Sequence, residues 1–289
     1  MIPTPLKYAG NKRKIMRSIA KHFDWEGITR YVEPFVGALG SAVNAEVPDG
    51  VQVCLSDVNS ELVRFYDQWL LQAQAVQDLA NSWSTTESTY YQIRSWDRDD
   101  EARTTLQWAA RTLYLNKRGF NGLYRLNSKG QCNVPWNRNV NAKRIDVIDC
   151  RFTNFLKRAD GVTCADAFEV INGCGAGDLV YCDPPYVDVT DSLKRFGGYV
   201  GAFGPDQQGQ LRDAVQSAAA RGAQVLVSNS WCSATLDLYA NFEQHEITAP
   251  RSISCKANGR GAVTELLAVL NGHQTTSETS VVQTCSSEQ

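Results

Sequence analysis

The sequence predicts an α/β fold: an open, Rossmann-like sheet into which a mostly helical module is inserted. Three observations predict it. Two short β-rich runs, at 31–32 and 51–55, each end in a turn and lead into a helical stretch. This βα rhythm stops between 70 and 142, where helical spacing and loops take over. It resumes from 162 to 270 with further apolar runs. The 289 residues, 43% hydrophobic and 21% charged, suit a soluble chain able to bury a sizeable core and carry a second module.

The elements follow in order. "ITRYVEPFVGALGSAVNAEV" reads as a strand at Tyr31 and Val32, a turn holding Gly37 and Gly40, and a short helix of small residues over 41–45. "VQVCLSDVNSELVRFY" repeats the theme. Alternating Val51, Val53 and Leu55 predict a strand ending on Asp57, and Asn59 or Ser60 caps the next helix. Glu61, Leu62, Phe65, Tyr66 and Trp69 continue that helix, and a further helix over 103–116 puts Leu106, Ala110 and Leu113 on one face. Beyond it lies "NKRGFNGLYRLNSKGQCNVPWNRNVNAKR", rich in Gly, Asn, Arg and aromatics.

The inserted module is therefore read as 61–144, with a core of 1–60 plus 145–272. In the second half of that core, "VTCADAFEVI" predicts a strand ending near Asp166, and "DLVYC" another. "PDQQGQLRDAVQSAAARGA" predicts an amphipathic helix burying Leu211, Val215 and Ala219, followed by strands at "QVLVSNS" and "AVTELLAVLNG". The glycine-rich, aperiodic 187–204 predicts a mobile loop, a candidate lid, and the polar 273–289 a disordered tail.

No run of about 18 apolar residues suggests a membrane span, and the first residues lack the apolar stretch of a signal peptide. Nine scattered cysteines without a C-x-x-C pair point to reduced thiols of a cytoplasmic protein and away from a metal site.

Net charge is only −2, yet it is unevenly spread. Between 103 and 158 stand twelve Lys/Arg against two acids, Asp146 and Asp149, giving that segment +10 and the remainder −12. Such an excess points to a polyanionic partner, nucleic acid first.

Two motifs carry chemistry. Glycines after a first strand let a ligand approach the backbone, and an acid after the second takes ribose hydroxyls. The pyrophosphate fingerprint G-x-G-x-x-G is absent, so a ligand with ribose and no pyrophosphate fits Gly37, Gly40 and Asp57, and S-adenosylmethionine (SAM) is one. The second motif is "DLVYCDPPYVDV". An apolar strand ends on Asp183-Pro184-Pro185-Tyr186, where the prolines stop the ladder and stiffen the turn.

An exocyclic amine on a purine is a poor nucleophile because its lone pair is delocalised. The Asp183 carboxylate and the Pro184 carbonyl offer acceptors for both amino hydrogens, favouring a pyramidal nitrogen aimed at a methyl donor. Tyr186 offers a stacking face, and the prolines keep the acceptors organised before reaction. The plainer reading, a proline-rich strand terminator, leaves the acid and the ring without a purpose.

With these motifs on the page, the chain resembles the Dam-type (D12 class) DNA adenine-N6 methyltransferases. "PLKYAGNKRKI", "VEPFVGALGSA", "LSDVNSELVRFY", "LYLNKRGFNGLYRLNSKGQCNVPW", "VYCDPPY", "VLVSNS" and "RSISCKANGRGAVTELLAVL" match the family's segments in its order over 5–271. The resemblance implies a SAM-dependent methyltransferase sheet with an inserted DNA target-recognition module, in what is called the α arrangement. It implies that Asp183, Pro184, Pro185 and Tyr186 are catalytic. Tyr8, Lys12, Phe35, Gly37, Asp57, Asp166 and Asp183 would bind or border SAM.

Lys7, Phe120, Asn121, Leu123, Arg125 and Pro135 match positions that touch DNA in relatives, most of which methylate adenine in GATC. Arg125 suits a bidentate bond to guanine, Phe120 the gap left by a flipped base, and Lys117 and Arg118 phosphates. The family also implies double-stranded DNA as partner, no metal, a monomer, and the cytoplasm of a bacterium or of a phage-infected one.

Two departures stand out. Phe35-Val36-Gly37-Ala38-Leu39-Gly40 has one residue more between its glycines than the family's F-x-G-x-G, and Asn11 stands where relatives often have Gly. Alternatives are cytosine-N4 methylation, which commonly has Ser at the position of Asp183, and a DNA-binding relative that has lost catalysis. RNA or protein-amide methylation usually shows Asn there, and a nicotinamide dehydrogenase lacks its fingerprint.

Overall fold

The computed structural model describes residues 1–8, 10–127, 129–186, 203–250 and 262–272. All but the last two residues of the predicted 187–204 loop, the whole of "RSISCKANGRG" and the 273–289 tail lie outside the described residues. Seven strands form one sheet: β1 (Arg30–Glu33), β2 (Gln52–Asp57), β3 (Thr163–Cys164), β4 (Asp178–Cys182), β5 (Gln224–Ser230), β6 (Glu243–Pro250) and β7 (Ala262–Leu270). Their order is β3-β2-β1-β4-β5-β7-β6. The first five pair in parallel, whereas β7 runs antiparallel to both β5 and β6.

Eight α-helices accompany the strands among the described residues: α1 (Met16–Ile19), α2 (Ser60–Ser82), α3 (Glu87–Arg94), α4 (Thr105–Arg118), α5 (Cys150–Arg158), α6 (Ala167–Asn172), α7 (Pro205–Ala220) and α8 (Ser233–Leu238). Every residue of β4 and β5 is buried, which is why the apolar stretches within them, 179–182 and 225–227, are uninterrupted rather than alternating. The strand period still sorts them. Leu179 and Tyr181 face a core shared with α2 and α4, while Val180 and Cys182 face Leu211 and Val215 of α7. Fully burying a side chain of that size contributes about 1.5–3 kcal/mol.

The buried residues of α2, α3 and α4 belong to the same cluster as Tyr31, Val53 and Leu179 of the sheet. The inserted segment is thus packed into the core, not hung from it.

Local chemistry explains most of the boundaries. Asn59 caps α2, its side chain accepting from Glu61 N at 3.1 Å and Leu62 N at 3.4 Å. The helix predicted over 103–116 runs Thr105–Arg118, because Thr104 and Gln107 form a capping box. The helix predicted over 41–45 is a single 3-10 turn, Ala42–Asn44. Strand β6 was hidden from sequence reading by the polar Glu243, Gln244 and Glu246, types depleted in strands. Strand order reverses between β1 and β4, and ligands of open α/β sheets bind outside the carboxyl ends of strands at such a switch point.

Candidate active site

Asp183 opens the turn that follows β4, where Pro184 ends the ladder. Its side chain is 16% exposed and meets Lys12, whose Nζ lies 3.2 Å from Oδ1. The same ammonium stands 3.4 Å from Oε2 of Glu265 on β7 and donates to the Gly10 carbonyl at 2.9 Å. Lys12 is only 2% exposed, so these oxygens take its donors in place of water. It also lies 4.3 Å from the centroid of the Tyr186 ring. The Tyr186 hydroxyl donates to Glu265 Oε2 at 2.8 Å.

Burial pushes the Asp183 carboxyl up to about 6; Lys12 pulls it down and Glu265 pushes it up again. Behind the turn, Gln208 of α7 donates to the Pro185 carbonyl at 2.8 Å and accepts from Asn229 of β5 at 3.0 Å. Helix α7 and the neighbouring strand β5 therefore hold the proline turn in place.

The second half of the site is built on β1 and β2. Asp57, ending β2, accepts from Gly37 N and Asn59 N, each at 2.9 Å. Burial raises the Asp57 carboxyl and those two amides lower it. The Tyr66 hydroxyl donates to the Gly37 carbonyl at 2.7 Å. Gly37 has φ +46°, and a Cβ there would lie 3.1 Å from the Tyr8 ring. The additional residue between the glycines leaves Leu39 left-handed, at φ 60°, with its side chain buried. Gly40 is needed for close approach: a Cβ would stand 1.9 Å from Asn11 Oδ1.

Below the turn, Glu33 is fully buried and accepts from the Tyr31 hydroxyl at 2.7 Å and from Ser41. Burial pushes its carboxyl up to about 8; the two hydroxyls lower it, and Asp183 and Asp57 raise it. It is a neutral acid at neutral pH.

Of the predicted SAM residues, Tyr8, Gly37 and Asp57 share one cluster, while Lys12 belongs to the Asp183 cluster. Phe35 packs edge-on against Phe203, centroids 5.7 Å apart, and Phe203 lies parallel to Phe168 at 6.3 Å. Asp166 is exposed and caps α6, accepting from Phe168 N at 2.8 Å. The neighbouring Ala165 N donates to the Asp57 carbonyl at 3.2 Å, so Asp166 borders the end of β2. Val58, next to Asp57, is an exposed apolar side chain on this rim.

The predicted DNA residues gather beyond the end of α4. Phe120, Asn121, Arg125 and Pro135 are all exposed, and Phe120 N donates to the Pro135 carbonyl at 2.8 Å. Arg125 leans on Asn133, Nε to Oδ1 at 2.7 Å. Leu123 is half-buried against the core. Lys7 is exposed, and its backbone is clamped on both sides by Asn116 of α4, at 2.8 and 2.7 Å. Lys117 is half-buried, and burial together with the charge of Lys7 lowers its ammonium to about 8. No acid pairs with either among the described residues.

Arg118 departs from its expected phosphate role. It is 6% exposed, since α4 extends through it and the segment at Trp136–Asn137 covers that turn. The basic run is also less available than its count suggests. Arg103, Arg111, Arg144, Arg151 and Arg158 pair with Asp99, Glu61 and Asp97, Asp78, Asp149, and Asp49, in that order.

Sequence reading missed Glu265, Glu33 and Gln208. The signal for Glu265 was an acid inside the apolar run "VTELLAVL". No cluster of three or more metal-ligating side chains occurs among the described residues, and no described helix is long and apolar enough to cross a membrane.

Residues 8–253 match the family described as D12 class N6 adenine-specific DNA methyltransferase. The chain is 33% identical over 274 residues to the retron Ec67 DNA adenine methylase of Escherichia coli, covering 92% of this chain and 90% of that one. It is 32% identical over 274 residues to the type II methyltransferase M1.LlaDCHI of Lactococcus lactis subsp. cremoris, covering 92% and 95%. It is 33% identical over 277 residues to a DNA adenine methylase of Vibrio cholerae, covering 93% and 96%.

Proposed function

We infer the details of the reaction from one established point: the chain belongs to the D12 class of N6 adenine-specific DNA methyltransferases. It is an adenine-specific DNA methyltransferase, and membership implies SAM as methyl donor and duplex DNA as substrate. The observation that carries the finer reading is the position of Asp183-Pro184-Pro185-Tyr186 at the switch point, beside the strand that leads into the glycine turn.

The residues present fit SAM. Asp57 is an acid held at a strand end by amides, with lone pairs left for ribose hydroxyls. Gly37 and Gly40 keep side chains out of the turn, and Tyr8, Phe35 and Val58 supply apolar surface around it. Asp166 would border the adenine end. When bound, SAM supplies a methyl group carried on a sulfonium.

The protein's part is to prepare the nitrogen that receives it. Asp183 and the Pro184 carbonyl accept the two amino hydrogens of a flipped adenine, which stacks on the face of Tyr186 opposite Lys12. Holding both hydrogens concentrates the lone pair on nitrogen, and the prolines spare the site any reorganisation at the moment of reaction. Flipping is required because the amine is unreachable inside the stack, and it costs a few kcal/mol. The exposed Phe120 is the side chain suited to fill the vacated space.

The 61–144 module would carry recognition and 1–60 with 145–272 the chemistry, in the cytoplasm of a bacterium or of an infected one. Lys7 and Lys117, two ammonium groups held together without an acid, suit a phosphate. The target is GATC. Methylating plasmid DNA with the protein and mapping the modified adenines at single-base resolution tests it, and modification confined to another sequence would overturn GATC.

Arg125→Ala is expected to relax discrimination at one guanine by about 1–3 kcal/mol. The measurement is kcat/KM on duplexes carrying single-base changes; unchanged selectivity removes the base contact. Gly40→Ala is expected to weaken SAM binding, read by calorimetric titration, because its Cβ collides with Asn11 Oδ1 at 1.9 Å. Adding Asn11→Gly removes that collision and should restore binding. Failure to restore it would show that the glycine serves the ligand and not Asn11.

A further inference from the structure

We propose that Glu265 is a positioning residue of the methyl-transfer site: it holds Lys12 and the Tyr186 ring so that Asp183 is left to the adenine amine. This rests on the reading of Asp183 as the amine acceptor. The geometry is a four-membered cluster. Lys12 Nζ bridges Asp183 Oδ1 at 3.2 Å and Glu265 Oε2 at 3.4 Å. Glu265 Oε2 also accepts the Tyr186 hydroxyl at 2.8 Å, fixing the ring that is to carry the base.

Lys12 on its own would harm the reaction in two ways. It competes with the amine for the Asp183 carboxylate. It also places a positive charge beside a nitrogen that becomes positive as the methyl arrives, at short range and with little solvent screening. A second carboxylate answers both. With Glu265 the three side chains sum to −1, and Lys12 has an anionic partner and the Gly10 carbonyl even when Asp183 turns to the substrate. Its place on β7, paired with Ser230 of β5 and Ile247 of β6, makes it part of the sheet and not of a loop. No other acid pairs with Lys12 among the described residues.

The charged and titratable groups facing Asp183 are Lys12, Glu33 of β1, Tyr181 and Cys182 of β4, Tyr186 and Glu265 of β7. Among these, Glu265 raises the Asp183 carboxyl and Lys12 lowers it, so removing either one must move Asp183 in a known direction.

The test is Glu265→Gln, nearly isosteric and able to keep accepting from Tyr186. Its kcat at pH 8 should fall on the order of tenfold or more. Its KM and Kd for duplex DNA, the latter by fluorescence anisotropy, should match the wild type. The acid limb of its kcat/KM–pH profile, which reports the free enzyme, should move to lower pH, because Asp183 loses a like charge. Lys12→Met should move that limb to higher pH, and Glu265→Asp, which keeps the charge, should recover part of kcat.

Unchanged kcat in Glu265→Gln, or a loss of kcat with the limb unmoved, overturns the assignment. So does a loss matched by lost DNA binding, which marks a structural role. If Glu265→Gln fails to fold, Glu265→Ala, which also removes the charge, is read instead, and an unmoved limb there overturns it equally. A wild type whose Asp183→Ala variant still transfers methyl sinks the underlying reading, whatever Glu265 does.

Discussion

Asp183→Ala is expected to lower kcat for methyl transfer on the order of a thousandfold or more, the scale seen when a preorganised acceptor or donor at a reacting centre is removed. The fold should survive. Lys12 loses one of its two carboxylates but keeps Glu265 and the Gly10 carbonyl, so no buried ammonium is abandoned. The affinity for duplex DNA should stay near the wild-type value, since the exposed Phe120, Asn121, Arg125 and Pro135 lie on a separate segment. Asp183→Asn tests the same point more finely. It preserves shape and keeps an amide oxygen to accept one amino hydrogen but loses the charge, so it should be impaired less than the alanine variant.

The pH profile supplies an independent reading of the same group. The ordinary value is 3.8, and in this site burial raises the carboxyl to about 6. Below that pH the group is protonated and no longer a full acceptor. Wild-type kcat/KM, which reports the free enzyme, should therefore fall as pH drops through about 6, well above the range where an exposed aspartate would matter. Retention of a tenth or more of wild-type activity in Asp183→Ala would refute the role, as that is about 1.4 kcal/mol and within the reach of side-chain repacking.

Much of this site was legible in the sequence because its parts are local. A strand that ends on two prolines has few alternatives, and an acid at the end of an alternating run marks itself, so Asp57 and Asp183 lie where the periodicity puts them. The glycine turn was legible for the same reason, although its additional residue resolved in a way no spacing rule predicts, with Leu39 left-handed and buried. What escaped were the partners supplied from afar. Glu265 meets Asp183 across 82 positions of chain, brought there by antiparallel pairing of β7 with β5 that nothing near either residue announces. Gln208 supports Pro185 from the opposite face of the sheet.

The charge run pointed to the right class of partner but overstated the charge that is free. A window from 103 to 158 counts cations but not the acids outside it. Glu61, Asp78, Asp97 and Asp49, all upstream in the chain, claim Arg111, Arg144 and Arg158. The exposed remainder, not the sum, is what DNA can meet.

Arg111 is the extreme case, and its removal should cost more stability than any other charge in the run. It is 1% exposed, inside α4, and all three nitrogens of its guanidinium donate. Nε donates to the Ile93 carbonyl at 3.0 Å, and Nη1 to Glu61 Oε1 at 3.0 Å. Nη2 donates to the Arg94 carbonyl and to Asp97 Oδ2, each at 2.8 Å. Its two acids reach onward. Glu61 accepts the Tyr124 hydroxyl at 3.0 Å, and Asp97 Oδ2 accepts Cys132 N at 2.7 Å. One side chain thus ties the first turn of α2 and the end of α3 to both sides of the segment that displays Arg125.

Arg111→Met keeps the volume and removes the charge, leaving Glu61 mostly buried without a cation and Asp97 with Arg98 as its one remaining guanidinium partner. The expected cost is about 3–5 kcal/mol, the range for breaking a buried pair by deleting one partner. For a chain of this length each kcal/mol lowers Tm by roughly 2–4 °C. Chemical denaturation with two probes measures it: tryptophan fluorescence, which samples Trp108 beneath the guanidinium, and far-ultraviolet dichroism. The double change Arg111→Met, Glu61→Gln should recover part of the loss, because the penalty lies chiefly in the Glu61 carboxylate stranded by the single change. A single-variant loss below about 1 kcal/mol would mean that water reaches Glu61 and Asp97 freely, and that the segment displaying Arg125 is held by its other contacts, among them the hydrogen bonds of Tyr90 and Arg94 to the Val134 carbonyl.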